Sequence, residues 1–479
     1  MRRYTTPIIT CFVLLAFFSL YCKPAKHVTP DPMIQWQKVL GMEDKVYPCV
    51  VRQTKEGGYI VAATHDSLDS DDVINHGDKD YWVIKLDTAG TIQWQTSFGG
   101  SGIDIVNSIQ QTKDNGYIIA GKSNSNHSTV FGEKTSHGEY DYWIVKIDSI
   151  GMIQWQKSYG GSGEDLATSI QQTLDGGYII AGGSSNSQAI VYKGRNPFID
   201  SSIGSSIDSV TENIDGDVTG HHGSDINMDY WIVKIDSAGA IQWQKSYGGT
   251  NDDFPMCIQQ TTDGDYVVAG YSYSSDGDVS GHHGSTSLAD YWVAEIDSTS
   301  AIKWQKSYGG RYNDFAYSII QATDGGFIVA GNSFSSDGDV TGHHGTDSTS
   351  DYWIVKIDST GGVQWQKSYG GSNNDIASSI VQTDDGGYVI AGGSNSTDGD
   401  VTGNHGNYDC WIVKIDGQGQ IQWQKSLGGR SLDAAYSIQQ TVDKGYIMAG
   451  TTMSENGDVI NFTSGIKYWI VKLKNSPDK

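Results

Sequence analysis

The sequence predicts an all-β fold, a seven-bladed β-propeller in which the N-terminal strand completes the last blade. The 479 residues include 60 glycines and only 8 prolines, which is typical of chains with many tight turns between strands. No stretch shows a convincing 3.6-residue hydrophobic period, so helices are not expected. Seven repeated units with two tryptophans each account for all 14 tryptophans of the chain.

Two tryptophan-centred runs mark every repeat. The first reads Ile-Gln-Trp-Gln or a near variant and places Trp36, Trp94, Trp155, Trp243, Trp304, Trp365 and Trp423. The second, clearest as Asp-Tyr-Trp-Ile-Val-Lys-Ile-Asp, places Trp82, Trp143, Trp231, Trp292, Trp353, Trp411 and Trp469. A small sheet buries both of its faces only when neighbouring sheets stack against them, and a repeated four-stranded unit of this kind is typical of propellers.

Each unit is predicted to contain four short strands, as one of them shows. Residues 166–173 mix polar and apolar side chains, and Asp175-Gly176-Gly177 then reverses the chain because glycine accepts positive φ. Residues 178–181 and 229–235 are rich in β-branched and aromatic residues, and residues 240–244 end the unit after a short turn.

The two ends of the repeat predict how the ring closes. Residues 33–41 form an outer strand with no partners before it, and residues 468–473 form a third strand that lacks its fourth. Pairing the two completes blade seven and removes an open sheet edge. The alternative, a linear array of β-modules, leaves both ends incomplete. We number the blades one to seven along the chain.

A longer motif runs through residues 33–474 and reads Gly-Gly, a spaced Asp, Ser-Ile, Asp-Gly-Gly-Tyr, Ala-Gly and Asp-Tyr-Trp-Val-Lys. It resembles the units of large families of bacterial secreted or lipoprotein propeller-like repeat proteins. The resemblance implies a propeller fold and export from the cell. Some members of these families are described as endoglucanases, which makes a carbohydrate-related role an expectation from the resemblance alone.

Residues 1–22 are predicted to be a signal peptide of the lipoprotein type. Arg2 and Arg3 precede an apolar run from Ile8 to Leu20, which is too short to span a bilayer. The following Cys22 completes a stretch that resembles a lipobox and implies lipidation of its thiol. Tyr21 stands where a small residue is usual, so plain secretion is the alternative. We expect an exported protein, at the outer membrane or cell surface, in the periplasm or in the medium.

The remaining boundaries follow from the repeat. Residues 23–32 form a linker, residues 33–474 the propeller and residues 475–479 a tail. An insertion at residues 187–213 lengthens one loop of blade three and interrupts the sevenfold regularity. It is either a binding arm or a passive surface loop.

Net charge narrows the expected partners. The chain has 32 basic and 56 acidic residues, a formal charge of −24 at pH 7. So acidic a protein repels nucleic acid and anionic membranes, and membrane contact is expected only through a lipid anchor. Cations, a neutral glycan or a basic protein at the cell surface are the expected partners, with the chain acting as a monomer.

The long loops are predicted to emerge on one side of the ring. In an up-and-down blade, the loop between the second and third strands and the linker to the next blade share one side, which we call the loop side. The turns between the first and second strands, and between the third and fourth, share the other, which we call the turn side. Binding groups generally lie on long loops held by a rigid scaffold.

In blades three to six the loop side repeats Asp-Gly-Asp-Val, a hydroxyl residue and Gly, followed by His-Gly. The predicted metal ligands are Asp215, Asp217, Asp276, Asp278, Asp337, Asp339, Asp398 and Asp400, and the predicted ligand-binding histidines are His222, His283, His344 and His405. Paired carboxylates beside a hydroxyl and a glycine turn can surround Ca²⁺ with oxygens, which makes calcium the predicted cofactor. The alternatives are a transition-metal site on the histidines and structural turns in which Asp caps backbone amides and His packs on the next blade.

A second set of acids precedes the innermost strands, which line the central channel. These are Asp104, Asp165, Asp253, Asp314, Asp375 and Asp433, with Asp44 two residues early in blade one. They are predicted to ring the mouth of the channel and to bind a cation or a polar ligand. The alternative is a loop-capping Asp that repeats because the blade repeats.

We therefore expect a binding or scaffold propeller of the cell envelope that recognises a glycan or a protein through its loop side, with calcium assisting. The first alternative is an endoglucanase-like glycoside hydrolase that uses acidic loop residues, and the second is a purely structural envelope protein. The sequence contains no phosphate-binding glycine loop, nucleophile elbow or Cys-x-x-Cys pair. Near-regular repetition favours binding over catalysis, and no catalytic residue is assigned.

Overall fold

A computed structural model describes residues 32–43, 45, 47–66, 74–125, 138–185, 217–223 and 226–475 of the chain. In these ranges, 28 β-strands form seven four-stranded antiparallel sheets arranged as the blades of a ring. The predicted seven-bladed propeller is therefore confirmed. Within the same ranges, none of the chain forms a helix that could cross a lipid bilayer. The signal peptide, Cys22 and the insertion at 187–213 lie outside the described residues.

The strands follow the repeat in chain order. The first strand and blades one to three comprise β1 Met33–Glu43, β2 Val50–Gln53, β3 Tyr59–Asp66, β4 Lys79–Leu86, β5 Ile92–Phe98, β6 Asp104–Gln111, β7 Tyr117–Ser123, β8 Asp141–Ile147, β9 Ile153–Tyr159, β10 Asp165–Gln172, β11 Tyr178–Ser185, β12 Met228–Ile235 and β13 Ile241–Tyr247. Blades four to seven comprise β14 Asp253–Gln260, β15 Tyr266–Ser272, β16 Asp290–Ile296, β17 Ile302–Tyr308, β18 Asp314–Gln321, β19 Phe327–Ser333, β20 Asp351–Ile357, β21 Val363–Tyr369, β22 Asp375–Gln382, β23 Tyr388–Ser394, β24 Asp409–Ile415, β25 Ile421–Leu427, β26 Asp433–Gln440, β27 Tyr446–Thr452 and β28 Ile466–Lys474.

Strand β1 closes the ring as the sequence predicted. Blade seven has the strand order β1-β28-β27-β26, so the first strand of the chain is the outermost strand of the last blade. The pairing is antiparallel and sets Val39 opposite Trp469. Closure leaves no exposed sheet edge between the two ends of the repeat, which removes a template for edge-to-edge aggregation.

The hydrophobic core lies between the blades. At the junction of blades two and three, Ile144 of one blade packs with Trp231 and Val233 of the next in a single buried cluster. The ring of Tyr142 lies 4.5 Å from that of Trp231, and its hydroxyl donates to the Trp231 carbonyl oxygen at 3.0 Å. Burial of one large side chain contributes about 1.5–3 kcal/mol, so seven such junctions account for much of the stability of the ring.

Buried lysines tie the hairpins of six of the seven blades together on the turn side. Lys234 is almost fully buried, and its Nζ lies 2.9 Å from Asp175 Oδ2 and 2.8 Å from Gln242 Oε1. Although burial raises the pKa of Asp175, hydrogen bonds from Thr173 and Lys234 lower it to about 2. The carboxylate stays charged at neutral pH and compensates the buried ammonium group.

A ring of glutamines encircles the channel at the turn side. One glutamine from the innermost strand of each blade accepts a backbone N–H from a turn of the preceding blade, at 2.8–3.1 Å. The seven are Gln53, Gln111, Gln172, Gln260, Gln321, Gln382 and Gln440. The chain of contacts passes through the junction of blades seven and one, so it is continuous around the ring.

Candidate functional site

The described loops show that the long loops and the inter-blade linkers share a side. In blade four the backbone N–H of Asp278, in the loop between the second and third strands, donates to the Gly248 carbonyl oxygen of the linker at 2.8 Å. The same contact joins Asp339 to Gly309 in the next blade at 2.8 Å. In blades three to seven, the loop between the second and third strands is therefore held by the linker that enters its own blade.

The Asp-Gly-Asp-Val loops are rigid because both of their ends are anchored. Asp276 Oδ1 accepts the backbone N–H of Thr250 at 2.8 Å, and the side chain of Val279 is buried in the core between blades. Gly277 has φ 63°, and a Cβ on it would lie 2.4 Å from the Gly248 carbonyl oxygen. A larger residue is excluded there by both the backbone conformation and the lack of space.

Equivalent contacts recur around the ring. Asp337 and Asp398 accept backbone N–H groups of Arg311 and Ser372 at 2.9 and 2.7 Å. In blade seven Asn456 accepts the N–H of Arg430 at 2.9 Å, so this contact needs an oxygen and not a charge. These contacts are those of the structural-turn alternative. Asp215 lies outside the described residues, and calcium binding by these aspartates stays a prediction.

The predicted histidines lie between neighbouring blades. The backbone N–H of His283 donates to Asp290 Oδ2 at 2.5 Å, its Nδ1 lies 3.0 Å from the same oxygen, and its Nε2 lies 3.7 Å from Asp339 Oδ2 of the next blade. His222 and His344 have matching contacts at 3.8 and 4.0 Å across their junctions. His405 contacts Asp409 of its own blade, with Nδ1 at 2.6 Å. Each bridging imidazole therefore connects a buried carboxylate with a half-exposed one.

The inner-strand aspartates, which were predicted to ring the mouth of the channel, are buried in the structure. All six are 0% exposed: Asp104, Asp165, Asp253, Asp314, Asp375 and Asp433. Asp253 Oδ2 accepts the Gly249 N–H at 2.7 Å and the Ser274 hydroxyl at 3.0 Å. These bonds turn the carboxylates into the protein because they cap the linker, as the alternative interpretation proposed. Asp44 lies outside the described residues, and ligand binding by this set stays a prediction.

Each buried inner aspartate faces a second one from the third strand of the preceding blade. These partners are Asp80, Asp141, Asp229, Asp290, Asp351 and Asp409. Asp253 Oδ2 and Asp229 Oδ1 lie 2.5 and 2.6 Å from the position that a Cβ on Gly248 would take. Burial, together with the neighbouring Asp229, raises the pKa of Asp253 to about 7, and burial raises that of Asp290 to about 8. At neutral pH a large fraction of the Asp253 and Asp290 carboxyl groups is protonated.

A polar groove lies where the predicted histidine and aspartate meet between blades five and six. It has a volume of about 430 Å³, and its lining includes Thr341, His344, Gln366, Lys367 and Asp400. The amide of Gln366 donates to the Thr341 hydroxyl, and the corresponding pair in blade three, Gln244 and Thr219, lies at 2.6 Å. The sequence did not single out the outer-strand residues, because Gln and Lys at these positions also occur on any solvated strand.

The described residues contain one group of three possible metal ligands, and it lies on the turn side. Carboxylate oxygens of Asp263, Asp265 and Glu295 lie within 4.8 Å of one another. Lys303 Nζ lies 2.7 Å from Asp265 and 2.5 Å from Glu295. Glu295 stands where the other blades have the buried lysine of the third strand, and Lys303 where they have glutamine. The group is therefore an ion-pair arrangement with reversed charges, and it includes none of the predicted ligands.

An aromatic cluster that the sequence did not reveal lies between blades four and five. Phe254, Tyr271, Tyr273, Phe315 and Tyr317 are all partly exposed; we call them the aromatic cluster. Phe254 and Phe315 are the second residues of the innermost strands β14 and β18, next to the loop side. The signal was present as a local departure from the repeat, but only the pairing of neighbouring blades brings these residues together.

The sequence has limited similarity to known proteins. No family model matches the chain. The regulatory protein FlaEY of Caulobacter vibrioides is 27% identical over 174 residues, which are 34% of this chain and 18% of that protein. The match thus spans less than a fifth of the curated relative, and it identifies neither a ligand nor a partner for this chain.

Solved structures with similar folds cover most of the chain at low identity. The WD40 domain of Neurospora crassa Pan2 is 9% identical, covers 92% of this chain and 98% of its own, and has a TM-score of 0.45. Drosophila Plexin A in complex with Semaphorin 1b is 7% identical, with coverages of 92% and 88% and a TM-score of 0.41. A protein of unknown function from Bacteroides caccae is 12% identical, with coverages of 72% and 89% and a TM-score of 0.38. The propeller fold of this chain is compatible with a binding or scaffold role.

Proposed function

We propose that this protein is an exported binding or scaffold propeller of the cell envelope that recognises a glycan or a protein through its loop side. The observation that carries the proposal is the repeated bridging of blades by His222, His283 and His344 to the half-exposed Asp278, Asp339 and Asp400. Each bridge places donors and acceptors at a blade junction, on loops fixed by the linkers. Such preorganised polar groups favour binding because little side-chain freedom is lost when a ligand arrives.

The groove between blades five and six suits a polyhydroxylated ligand. Its lining combines the Thr341 hydroxyl, the Gln366 amide, the Lys367 ammonium and the Asp400 carboxylate, so both donors and acceptors are available. Three junctions carry the same His–Asp bridge. A repeating glycan that engages several of them gains avidity without any new type of contact.

Calcium and export are parts of the same proposal. Asp276 and Asp278, with their equivalents in neighbouring blades, would supply carboxylate oxygens to Ca²⁺ at the rim of the loop side. Lipidation of Cys22 would fix the propeller to a membrane and leave the loops free. A hydrolytic role needs carboxyl groups that reach a glycosidic bond, whereas the aspartates with strongly raised pKa values, among them Asp253 and Asp290, are 0–1% exposed. Binding is therefore the function that we favour.

A glycan array probed with the mature protein, in calcium and in EDTA, tests the proposal. We expect selective binding to a small set of glycans, and at least tenfold weaker binding by the triple variant Asp278→Asn, Asp339→Asn, Asp400→Asn. Loss of binding in EDTA with recovery in calcium supports the metal, and unchanged binding in EDTA removes calcium from the proposal.

The matched control is Asp384→Asn, an exposed aspartate on the turn side that pairs with Lys444. It removes one charge without touching the loop side, and its binding should equal that of the wild type. Equal loss in the control and the triple variant would attribute the effect to net charge. Uniform binding across the array in both buffers would contradict glycan recognition.

A further inference from the structure

The repeats depart from one another where the innermost strands of blades four and five meet. Phe254 and Phe315 stand where blades two, three, six and seven have aliphatic residues, namely Ile105, Leu166, Ile376 and Ala434. Tyr271 stands where blades two, three and six have Lys122, Gly183 and Gly393. Blade one has Tyr47 at the position of Phe254, but between blades four and five aromatic residues of two adjoining blades meet.

The cluster presents ring faces in several orientations. The ring centroid of Tyr271 lies 5.2 Å from that of Phe254 with an interplanar angle of 31°, and 4.9 Å from that of Phe315 at 86°. Tyr273 lies 6.2 Å from Tyr271 at 82°. The rings support one another in edge-to-face and tilted contacts, which fix their positions. All five side chains stay partly exposed, whereas the junction tyrosines Tyr142 and Tyr230 are fully buried.

The tyrosine hydroxyls of the cluster differ from those of the buried junction tyrosines in their hydrogen bonds. Within the described residues, the hydroxyls of Tyr271, Tyr273 and Tyr317 donate no hydrogen bond to the protein, whereas the buried Tyr230 and Tyr291 donate to tryptophan carbonyls at 3.0 and 2.9 Å. Burial raises the pKa of Tyr317 to about 12, with a further contribution from Tyr273. The hydroxyl is therefore a neutral donor and acceptor at physiological pH.

The surrounding charge disfavours an anionic ligand. Asp252 lies near Tyr271 and Tyr273 and adds to the effect of burial in raising the pKa values of both, and the chain has a formal charge of −24. The neighbouring cation, Arg311, lies over the ring of Tyr312 with 5.2 Å between its Cζ and the ring centroid, and its Nε is 3.5 Å from Asp337. A neutral ligand with apolar faces and hydroxyl groups fits these constraints.

We propose that the aromatic cluster stacks a pyranose ring of a neutral glycan, with hydroxyls of Tyr271, Tyr273 and Tyr317 hydrogen-bonding to those of the sugar. This inference rests on the proposed function and names its ligand class and a second contact region on the same side. The cluster lies at the inner end of β14 and β18, while the His–Asp bridges lie between the loops farther along the blades. A glycan chain that passes from one to the other has its orientation set by the cluster.

Titration calorimetry of the mature protein with cellohexaose, laminarihexaose and xylohexaose tests the inference. We expect one of the three to bind, and the triple variant Tyr271→Phe, Tyr273→Phe, Tyr317→Phe to bind it at least tenfold more weakly, because hydroxyls are lost while the rings remain. Tyr273→Ala, which removes a ring face, should also lose at least tenfold. Tyr436→Phe is the matched control, since Tyr436 holds in blade seven the strand position of Tyr317, and its affinity should not change.

The outcomes separate this inference from the proposed function. Loss of binding in Asp278→Asn, Asp339→Asn, Asp400→Asn with wild-type affinity in the tyrosine variants overturns the aromatic site and leaves the proposed function in place. The reverse result supports the aromatic site and overturns the junction grooves. Absence of binding to all three hexasaccharides overturns the inference, and binding of tetramethylammonium that Tyr273→Ala abolishes would assign the cluster to a cationic ligand instead.

Discussion

The junction between blades seven and one is built differently from the internal junctions, although it buries the same residue types. Between blades five and six, the hydroxyl of Tyr352 donates to the Trp411 carbonyl oxygen at 2.9 Å, and the rings lie 4.6 Å apart. At the closing junction, Tyr468 lies 6.5 Å from Trp82 and donates instead to the Thr64 carbonyl oxygen at 2.8 Å. Five of the seven junctions have the bond from the tyrosine hydroxyl to the tryptophan carbonyl oxygen. The junction of blades six and seven has Cys410 in place of the tyrosine, and the closing junction keeps the tyrosine but alters its contact.

One methyl group explains the difference. In blades two to six the second strand has glycine beside the incoming tyrosine, at Gly121, Gly182, Gly270, Gly331 and Gly392. A Cβ on Gly121 would lie 2.6 Å from the Tyr81 hydroxyl oxygen and 2.0 Å from the Ile105 carbonyl oxygen. Blade one has the fully buried Ala63 at this position, and the hydroxyl of Tyr468 donates to Thr64 of the second strand instead of to the tryptophan of the third. A repeat can thus be closed by a locally different contact where its sequence departs from the pattern.

The closing junction also lacks the buried acid of the third strand. Asp409 of blade six lies opposite Ser394, whereas the equivalent position of blade seven, opposite Thr452, is Lys467. The other six junctions each have a third-strand aspartate buried beside an inner-strand aspartate. Stability of the internal junctions should therefore depend on pH in a way that the closing junction does not.

Removal of the junction tyrosines should have the largest effect. Tyr352→Ala and Tyr468→Ala each delete a fully buried ring and its hydrogen bond, so each should lower the free energy of unfolding by about 3–5 kcal/mol. Urea unfolding followed by tryptophan fluorescence measures both. If the closing junction is the weaker one, Tyr468→Ala should in addition expose the N-terminal strand to limited proteolysis, and equal proteolysis of the two variants would contradict that.

A rise in pH should lower the stability of the internal junctions. The pKa values of Asp165, Asp253, Asp314 and Asp375 are raised from 3.8 to about 7, chiefly by burial. Folding therefore favours their protonated forms. The resulting stabilisation is complete below about pH 4 and is lost as the pH rises through about 7. Burial lowers the pKa of His282, which acts in the opposite direction on acidification.

We expect the urea concentration at the unfolding midpoint to decrease as the pH is raised from about 5.5 to about 8.5. The variant Asp253→Asn should make this dependence shallower because one titrating carboxyl group is removed. Asp384→Asn, on the exposed turn side, is the control and should leave the slope unchanged. A midpoint that rises with pH across this window would show that the acid pairs are not protonated in the folded protein.

Exchange of glycine and alanine beside the tyrosine should have the smallest effect of the three and sharpens the comparison most directly. Gly331→Ala should cost about 1–3 kcal/mol, because its Cβ would lie 1.9 Å from the Phe315 carbonyl oxygen and 2.7 Å from the Tyr291 hydroxyl oxygen. Ala63→Gly should change stability by about 1 kcal/mol or less. Thermal unfolding compares the two, and a harmless Gly331→Ala would remove the steric explanation for the altered closing contact.

Much of the candidate site could be named from the sequence, but not its geometry. The pattern identified His283 and Asp339 as unusual loop residues, yet their contact across a junction joins positions more than fifty residues apart. The pattern also placed Asp253 beside the channel, but it did not reveal that this side chain is buried. Hydrogen bonds from the Gly249 N–H and the Ser274 hydroxyl hold the carboxylate inside the protein. Residues such as Tyr271 and Phe315 gave no periodic signal, so their cluster could not be predicted.

The sequence by itself determined the number of blades, the four strands of each and the role of residues 33–41 in closing the ring. These features depend on local signals, such as the spacing of tryptophans and glycine turns, which act within a few residues of the chain. Tertiary structure decided which carboxylates are buried, which histidines bridge blades and where aromatic rings gather. Those properties arise from contacts between neighbouring blades, and both the desolvation of a charge and the exposure of a ring depend on what the next blade places against it.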